Sequence, residues 1–166
     1  MNIKQTLDRI KNNDKTLTEF TFPRKASERS MLRMITALEQ NTTITTICFD
    51  GVNFSDTMLQ ELVKLLKKNT TINTLKFDGI VQLSMGSIFA EAIEKNKSIT
   101  TVVLTHNSIV CNDLSALSQA LQTNSTITSV DISLNSKIGS KGFLDFCKVL
   151  EKNTSISMIN ISEINI

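Results

Sequence analysis

The residues most able to do chemistry are few and far apart. One histidine, His106, and three cysteines, Cys48, Cys111 and Cys147, are spread over 166 residues. A cysteine nucleophile needs a base beside it to hold the thiolate, and no spacing assigns His106 to any of the three. Zinc would require CxxC or Cys–His ligand pairs, which are absent. There is no glycine-rich phosphate loop, no Ser-x-Gly elbow and no paired-carboxylate arrangement. The expectation is therefore a protein that is not an enzyme, with no catalytic residue, no cofactor and no metal.

Composition narrows the partners. Apolar residues make up 40% and charged residues 20%, which suits a globular domain rather than a disordered or membrane-embedded chain. A net charge of +2 and basic residues not interleaved with aromatics argue against nucleic acid. No apolar run reaches the roughly 18 residues that would span a bilayer, and the opening "MNIKQTLDRIKNND" lacks a signal-peptide core. Dispersed cysteines fit a reducing, cytoplasmic compartment. The N-x-[ST] pattern recurs at Asn41, Asn53, Asn69, Asn96, Asn124, Asn153 and Asn160. Without a secretion signal it calls for a structural explanation rather than glycosylation.

That explanation is a repeat. "NTTITTICFD" (41–50) returns as "NTTINTLKFD" (69–78), and Ile44, Ile72, Ile99, Ile127 and Ile156 are separated by 28, 27, 28 and 29 residues. A weaker copy at Leu17 makes six units. In each, apolar residues step by three and then two: Leu17/Phe20/Phe22, Ile44/Ile47/Phe49, Ile72/Leu75/Phe77, Ile99/Val102/Leu104, Ile127/Val130/Ile132 and Ile156/Ile159/Ile161. The last step is strand periodicity.

Helical spacing follows each strand, as in Met58/Leu59/Leu62/Val63/Leu65/Leu66. The other apolar stripes are Met31/Leu32/Ile35/Leu38, Ile88/Phe89/Ala92/Ile93, Leu114/Leu117/Leu121 and Phe143/Leu144/Phe146/Cys147/Leu150. Ser27, Ser55 or Asp56, Ser84, Asn112 and Ser140 are the candidate N-caps. The recurrent Asn41, Asn69, Asn96, Asn124 and Asn153 are expected to close the helices in a left-handed conformation. Strands about 4.8 Å apart carrying helices about 10 Å wide must curve, sheet inside and helices outside. The fold expected is α/β: a solenoid of about six repeats in a right-handed β-α superhelix. Residues 1–166 form one domain, with a capping helix over 1–13 (Ile3, Leu7 and Ile10 on one face) and repeats over 14–166.

"ITTVVLTHNSI" (99–109) and "ITSVDISLN" (127–135) resemble the leucine-rich repeat of the ribonuclease-inhibitor-like class, LxxLxLxxNxL followed by a helix. The consensus asparagine is present as Asn107 and Asn135 and replaced by Lys25, Val52, Ile80 and Ile164, so an asparagine ladder at this turn is only partial. The "LxxN[TKS][ST]I" phrase is similar to that of the tropomodulin and leiomodin actin-capping proteins, and of bacterial effectors with such repeats. The resemblance implies a scaffold that binds protein through the concave sheet or adjoining turns, as an effector or cytoskeletal regulator. For a secreted effector the compartment would be the host cytosol.

The strand pattern places Thr21, Cys48, Lys76, Val103, Asp131 and Asn160 in the middle column of the exposed sheet face. Asp50, Lys76, Asp78, Val103, His106 and Asp131 are the candidate partner-binding residues, although the chain has no Trp or Tyr to anchor an interface. No closing helix follows the last strand, and an uncovered parallel edge is a liability. The competing expectation is a self-associating module, a homodimer through Met158, Asn160, Ile164 and Ile166.

Overall fold

In the computed structural model, residues 2–80 and 86–165 are described, with the side chains of 86–88 outside that description. The candidate cap Ser84, the side chain of Ile88 and the candidate edge residue Ile166 therefore lie outside it. Helices and strands alternate: α1 Ile3–Lys11, β1 Glu19–Phe22, α2 Glu28–Leu38, β2 Thr46–Asp50, α3 Asp56–Lys68, β3 Thr74–Asp78, α4 Gly86–Lys95, β4 Thr101–Thr105, α5 Cys111–Thr123, β5 Ser129–Asp131, α6 Gly139–Leu150 and β6 Met158–Asn160.

The strands form one parallel sheet in chain order, β1-β2-β3-β4-β5-β6. The repeat alignment is the pairing register: Ile47 lies opposite Leu75, Leu75 opposite Val102, Val102 opposite Val130 and Val130 opposite Ile159. Each helix packs on the next, α1 on α2 through to α5 on α6. The sheet is the concave layer of a β-α solenoid and the helices its convex layer.

Backbone rungs extend ahead of the strands. The N–H groups of Thr45, Asn73, Thr100, Thr128 and Ser157 donate to the carbonyls of Thr18, Thr45, Asn73, Thr100 and Thr128 in turn. Just inside them Ile44, Ile72, Ile99 and Ile127 are buried in adjacent rungs. Deeper, Phe22, Phe49 and Phe77 stack with ring centroids 4.2 and 5.1 Å apart. Leu104 and Ile132 continue this layer in the later units.

Most helix stripes face this core as their spacing predicts; all six apolar positions of α3 are buried. Two differ. In α2 Met34, outside the expected stripe, is fully buried alongside Ile35 and Leu38, and Leu32 is only half-buried. In α6 Phe146 is buried while Leu144 is 58% exposed, because no further helix packs on that flank among the described residues. Ser27 and Ser55 cap α2 and α3 by accepting from Ser30 N–H and Met58 N–H. Asn112 and Ser140 are not caps: α5 and α6 begin before them, after Val110 and Ile138, neither of which has a capping side chain. At α5 Asp113 instead accepts from the Val110 N–H at 3.2 Å.

The recurrent asparagines do something other than bend the chain. Asn69 and Asn124 are extended, with φ −76° and −74°, not left-handed. Each asparagine uses both ends of its amide. Asn69 Oδ1 accepts from Thr71 and Ile72 N–H, both at 2.8 Å, and its Nδ2 donates to Leu38 O (2.8 Å) and Asn41 O (3.0 Å). The last carbonyls of a helix have no partner within it, and here the next repeat supplies one. Asn41 reaches Ile10 O, Asn96 reaches Leu66 O, Asn124 reaches Ile93 O and Asn153 reaches Leu121 O. This continuous asparagine ladder at the helix exits is the structural origin of five of the N-x-[ST] patterns. The hydroxyl of Ser98, Thr126 or Ser155 in the same phrase donates to the preceding repeat's asparagine carbonyl.

The left-handed position sits instead at the turn after each strand from β2 to β6. Gly51, Gly79, His106, Leu134 and Glu163 have φ between 54° and 62°. The consensus asparagines form a second, shorter ladder near these turns: Asn107 bonds Ile80 N–H and Phe77 O, and Asn135 bonds Ile109 N–H and Leu104 O. Where Val52 and Ile80 replace asparagine, they are buried apolar residues of the core.

Candidate functional site

The exposed face of the sheet carries the middle column in register: Thr21, Cys48, Lys76, Val103, Asp131 and Asn160 lie side by side. Beside it run Glu19, Thr46, Thr74, Thr101, Ser129 and Met158. Short hydroxyl side chains dominate this second column, so long side chains from the first can lie across it.

The structure ties the charged candidates to intramolecular partners rather than gathering them into one patch. Lys76 Nζ donates to Glu19 Oε1 at 3.2 Å, spanning from β3 to β1 across β2. Cys48 is the β2 residue in register with Lys76. Burial raises its thiol pKa, opposed in part by the positive charge of Lys76. The other groups acting on it are Asp50, Thr21 and Glu19, and His106 is not among them. A thiol so placed is a weak nucleophile.

Asp50 pairs with Arg24 at the strand ends. Asp78, opposite Asp50 in the sheet, lies 3.8 Å from Nδ1 of His106. The imidazole is 75% exposed, and the His106 backbone N–H donates to Ser133 O. His106 thus fills a left-handed turn position that glycine occupies in two other units, with its ring over the rim. Asp131 accepts from Ser133 N–H and from the Ser133 hydroxyl, and its other oxygen accepts from Asn160 Nδ2 at 3.0 Å. Val103 is half-buried between Lys76 and Asp131. Exposed ion pairs of this kind contribute about 0–1 kcal/mol each, so a partner's charges can displace them at small cost.

At the last strand Met158 is 65% exposed and Asn160 is exposed, while Ile161 is 37% exposed. Ile164 differs from its expected role: it is half-buried and packs against the protein's own core. Among the described residues no group of three or more His, Cys, Asp or Glu side chains is placed to hold a metal ion. No described helix is long and apolar enough to cross a membrane.

Two features escaped the repeat pattern. Arg24 and Glu19, the partners of Asp50 and Lys76, belong to the weakest repeat copy and lie 26 and 57 residues from them. A groove of about 730 Å³ lies between α1 and α2, lined by Leu7, Lys11, Arg29, Leu32 and Arg33 among others. One of its two walls comes from α1, the helix that precedes the repeats, so no periodicity marks it.

No protein-family model matches the sequence, and no curated protein matches it. Solved structures do. The actin-binding site 2 domain of leiomodin-1 superposes with a TM-score of 0.54 at 22% identity, covering 97% of this chain and 79% of that one. The C-terminal domain of Caenorhabditis elegans tropomodulin does so with a TM-score of 0.54 at 15% identity, covering 98% and 83%. The protein has a leucine-rich-repeat fold. At these identities the likeness carries the architecture: a leucine-rich-repeat solenoid with the sheet as its concave wall and the strand-end turns as its rim.

Proposed function

We propose that the protein is a non-catalytic cytoplasmic scaffold that binds a protein partner through its concave sheet and adjoining turns, with an actin-related partner the first to test. The observation that carries this is the registered face of β2 to β5. It offers hydroxyls, one half-buried apolar residue and charged groups held only by weak, exposed pairs, with no reactive constellation. The leiomodin-1 neighbour is described as an actin-binding site, and that likeness selects the first probe.

Wild type and the triple variant Lys76→Glu/Asp78→Lys/Asp131→Lys should be compared in co-sedimentation with filamentous actin and in capture from lysate. The variant should fold as wild type by circular dichroism and lose at least about tenfold in affinity, the equivalent of about 1.4 kcal/mol. Undiminished capture by the variant would remove the concave face from the interface.

A second reading is self-association through β6, favoured by the exposed Met158, Ile161 and Leu144 on the terminal unit. Sedimentation over a range of concentrations should then show a dimer, and Met158→Lys should shift it to monomer without unfolding. A monodisperse monomer at high concentration would dismiss this reading.

A further inference from the structure

We infer that the groove between α1 and α2, on the helical side of the molecule, is a second docking site, and that it takes an acidic amphipathic helix from a partner protein. Its floor is apolar: Leu7 is buried beneath it, and Leu32 and Ala37 are half-buried. Its rim is cationic. Lys11, Arg29 and Arg33 are exposed, and among the described residues none of them is in an ion pair.

Lys64, Lys67, Lys68, Lys76, Lys95 and Lys148 each have a carboxylate partner, and of the basic residues outside such pairs Lys11, Arg29 and Arg33 are the three that line this groove. The one acid at the groove is Glu28, and its Oε1 accepts a hydrogen bond from Ser55 Oγ, at the start of α3. The charge left at the groove is positive in a chain whose net charge is only +2.

The shape fits a helix better than a small anion. Lining residues run from Glu28 to Gln40, and at about 1.5 Å per residue a helix of that extent is roughly 18 Å long, about three turns. A partner helix laid in such a trough presents apolar side chains at i, i+4 and i+7 to the floor. Its flanking carboxylates would meet Arg29 and Arg33, which are four residues apart and so on one face of α2. Guanidinium groups take carboxylates in paired hydrogen bonds, so the rim selects acids as well as positioning them.

The test uses three probes: a designed helical peptide with leucines at that spacing and glutamates on its flanks, the same peptide with lysines for glutamates, and phosphatidylcholine–phosphatidylserine vesicles. Fluorescence anisotropy should show the acidic peptide binding and the lysine peptide at least tenfold weaker. Arg29→Glu/Arg33→Glu should weaken the acidic peptide at least tenfold, and Lys11→Glu, on the opposite wall, should act in the same direction. Both variants change exposed side chains, and an unchanged melting temperature establishes their folding. Equal binding of the two peptides, or unaltered binding by Arg29→Glu/Arg33→Glu, overturns the inference; so does binding to vesicles without binding to peptide. Lys76→Glu/Asp78→Lys/Asp131→Lys should leave the acidic peptide's affinity unchanged, which separates this site from the concave face.

Discussion

Replacing Asn69 with aspartate should destabilise the protein by about 3–5 kcal/mol at neutral pH, although the two side chains are nearly identical in shape. Asn69 is 5% exposed and makes four hydrogen bonds, two as acceptor and two as donor. Aspartate keeps the acceptors for Thr71 and Ile72. In place of the NH₂ it aims an anionic oxygen at the carbonyls of Leu38 and Asn41. Each buried group left without a partner costs about 1–3 kcal/mol, and burying the charge adds to this. The sign of the pH dependence follows. The new carboxyl is held among carbonyls, so its folded-state pKa is raised. The destabilisation should therefore shrink as pH falls through that value, where an O–H restores one donor. Urea denaturation at pH 7 and pH 5 checks both points. Asn73→Asp, at an exposed position four residues on in the same phrase, is the control and should cost little. An equal loss for Asn69→Asp and Asn73→Asp would mean that the ladder contributes nothing particular.

This ladder also marks how far the sequence can be read. The period near 28 residues and the three-then-two step locate the strands, and they set the pairing register, because a parallel sheet of copied units has one way to align its copies. The helix stripes follow for the same reason. The role of the asparagines was legible only as a recurrence. Their bonds reach the preceding unit's carbonyls, so the chemistry is tertiary, and a local preference for the left-handed region pointed to the wrong residue. The positive φ lies at Gly51, Gly79 and His106 instead, where the strand end must turn.

The candidate site shows the same division. Alternation placed Cys48, Lys76, Val103 and Asp131 on the exposed face, and the register puts them side by side. Their partners were not legible. Glu19 lies 57 residues from Lys76, and that contact depends on the width of β2 and the reach of a lysine. The groove was invisible for a further reason: α1 belongs to no repeat, and the spacing of Leu7 and Ile10 marks its buried face but not the trough that its docking leaves beside α2.

Phe49→Ala should cost about 3–5 kcal/mol, lowering the melting temperature by roughly 10 °C in a chain of this size. Phe49 is fully buried at the centre of an aromatic column, stacked on Phe22 at 4.2 Å and 14° and on Phe77 at 5.1 Å and 12°. Phe54 meets it edge-on at 4.9 Å. Truncation removes three ring contacts, each contributing about 0.5–1.5 kcal/mol beyond burial, and opens a cavity in the second unit, between the rings of the first and third. In a solenoid, stability is carried by unit-to-unit interfaces. A void between the first three units should therefore also loosen their coupling to the rest. The thermal transition of Phe49→Ala should broaden as well as shift, with the first repeats losing hydrogen-exchange protection before β4 and β5. Ile132→Ala, in the corresponding layer of the fifth unit but without ring partners, should cost about 2–5 kcal/mol and loosen the opposite end first. If both variants melted in one sharp transition with uniform loss of protection, the units would be unfolding as a single block, and the aromatic column would be ordinary core.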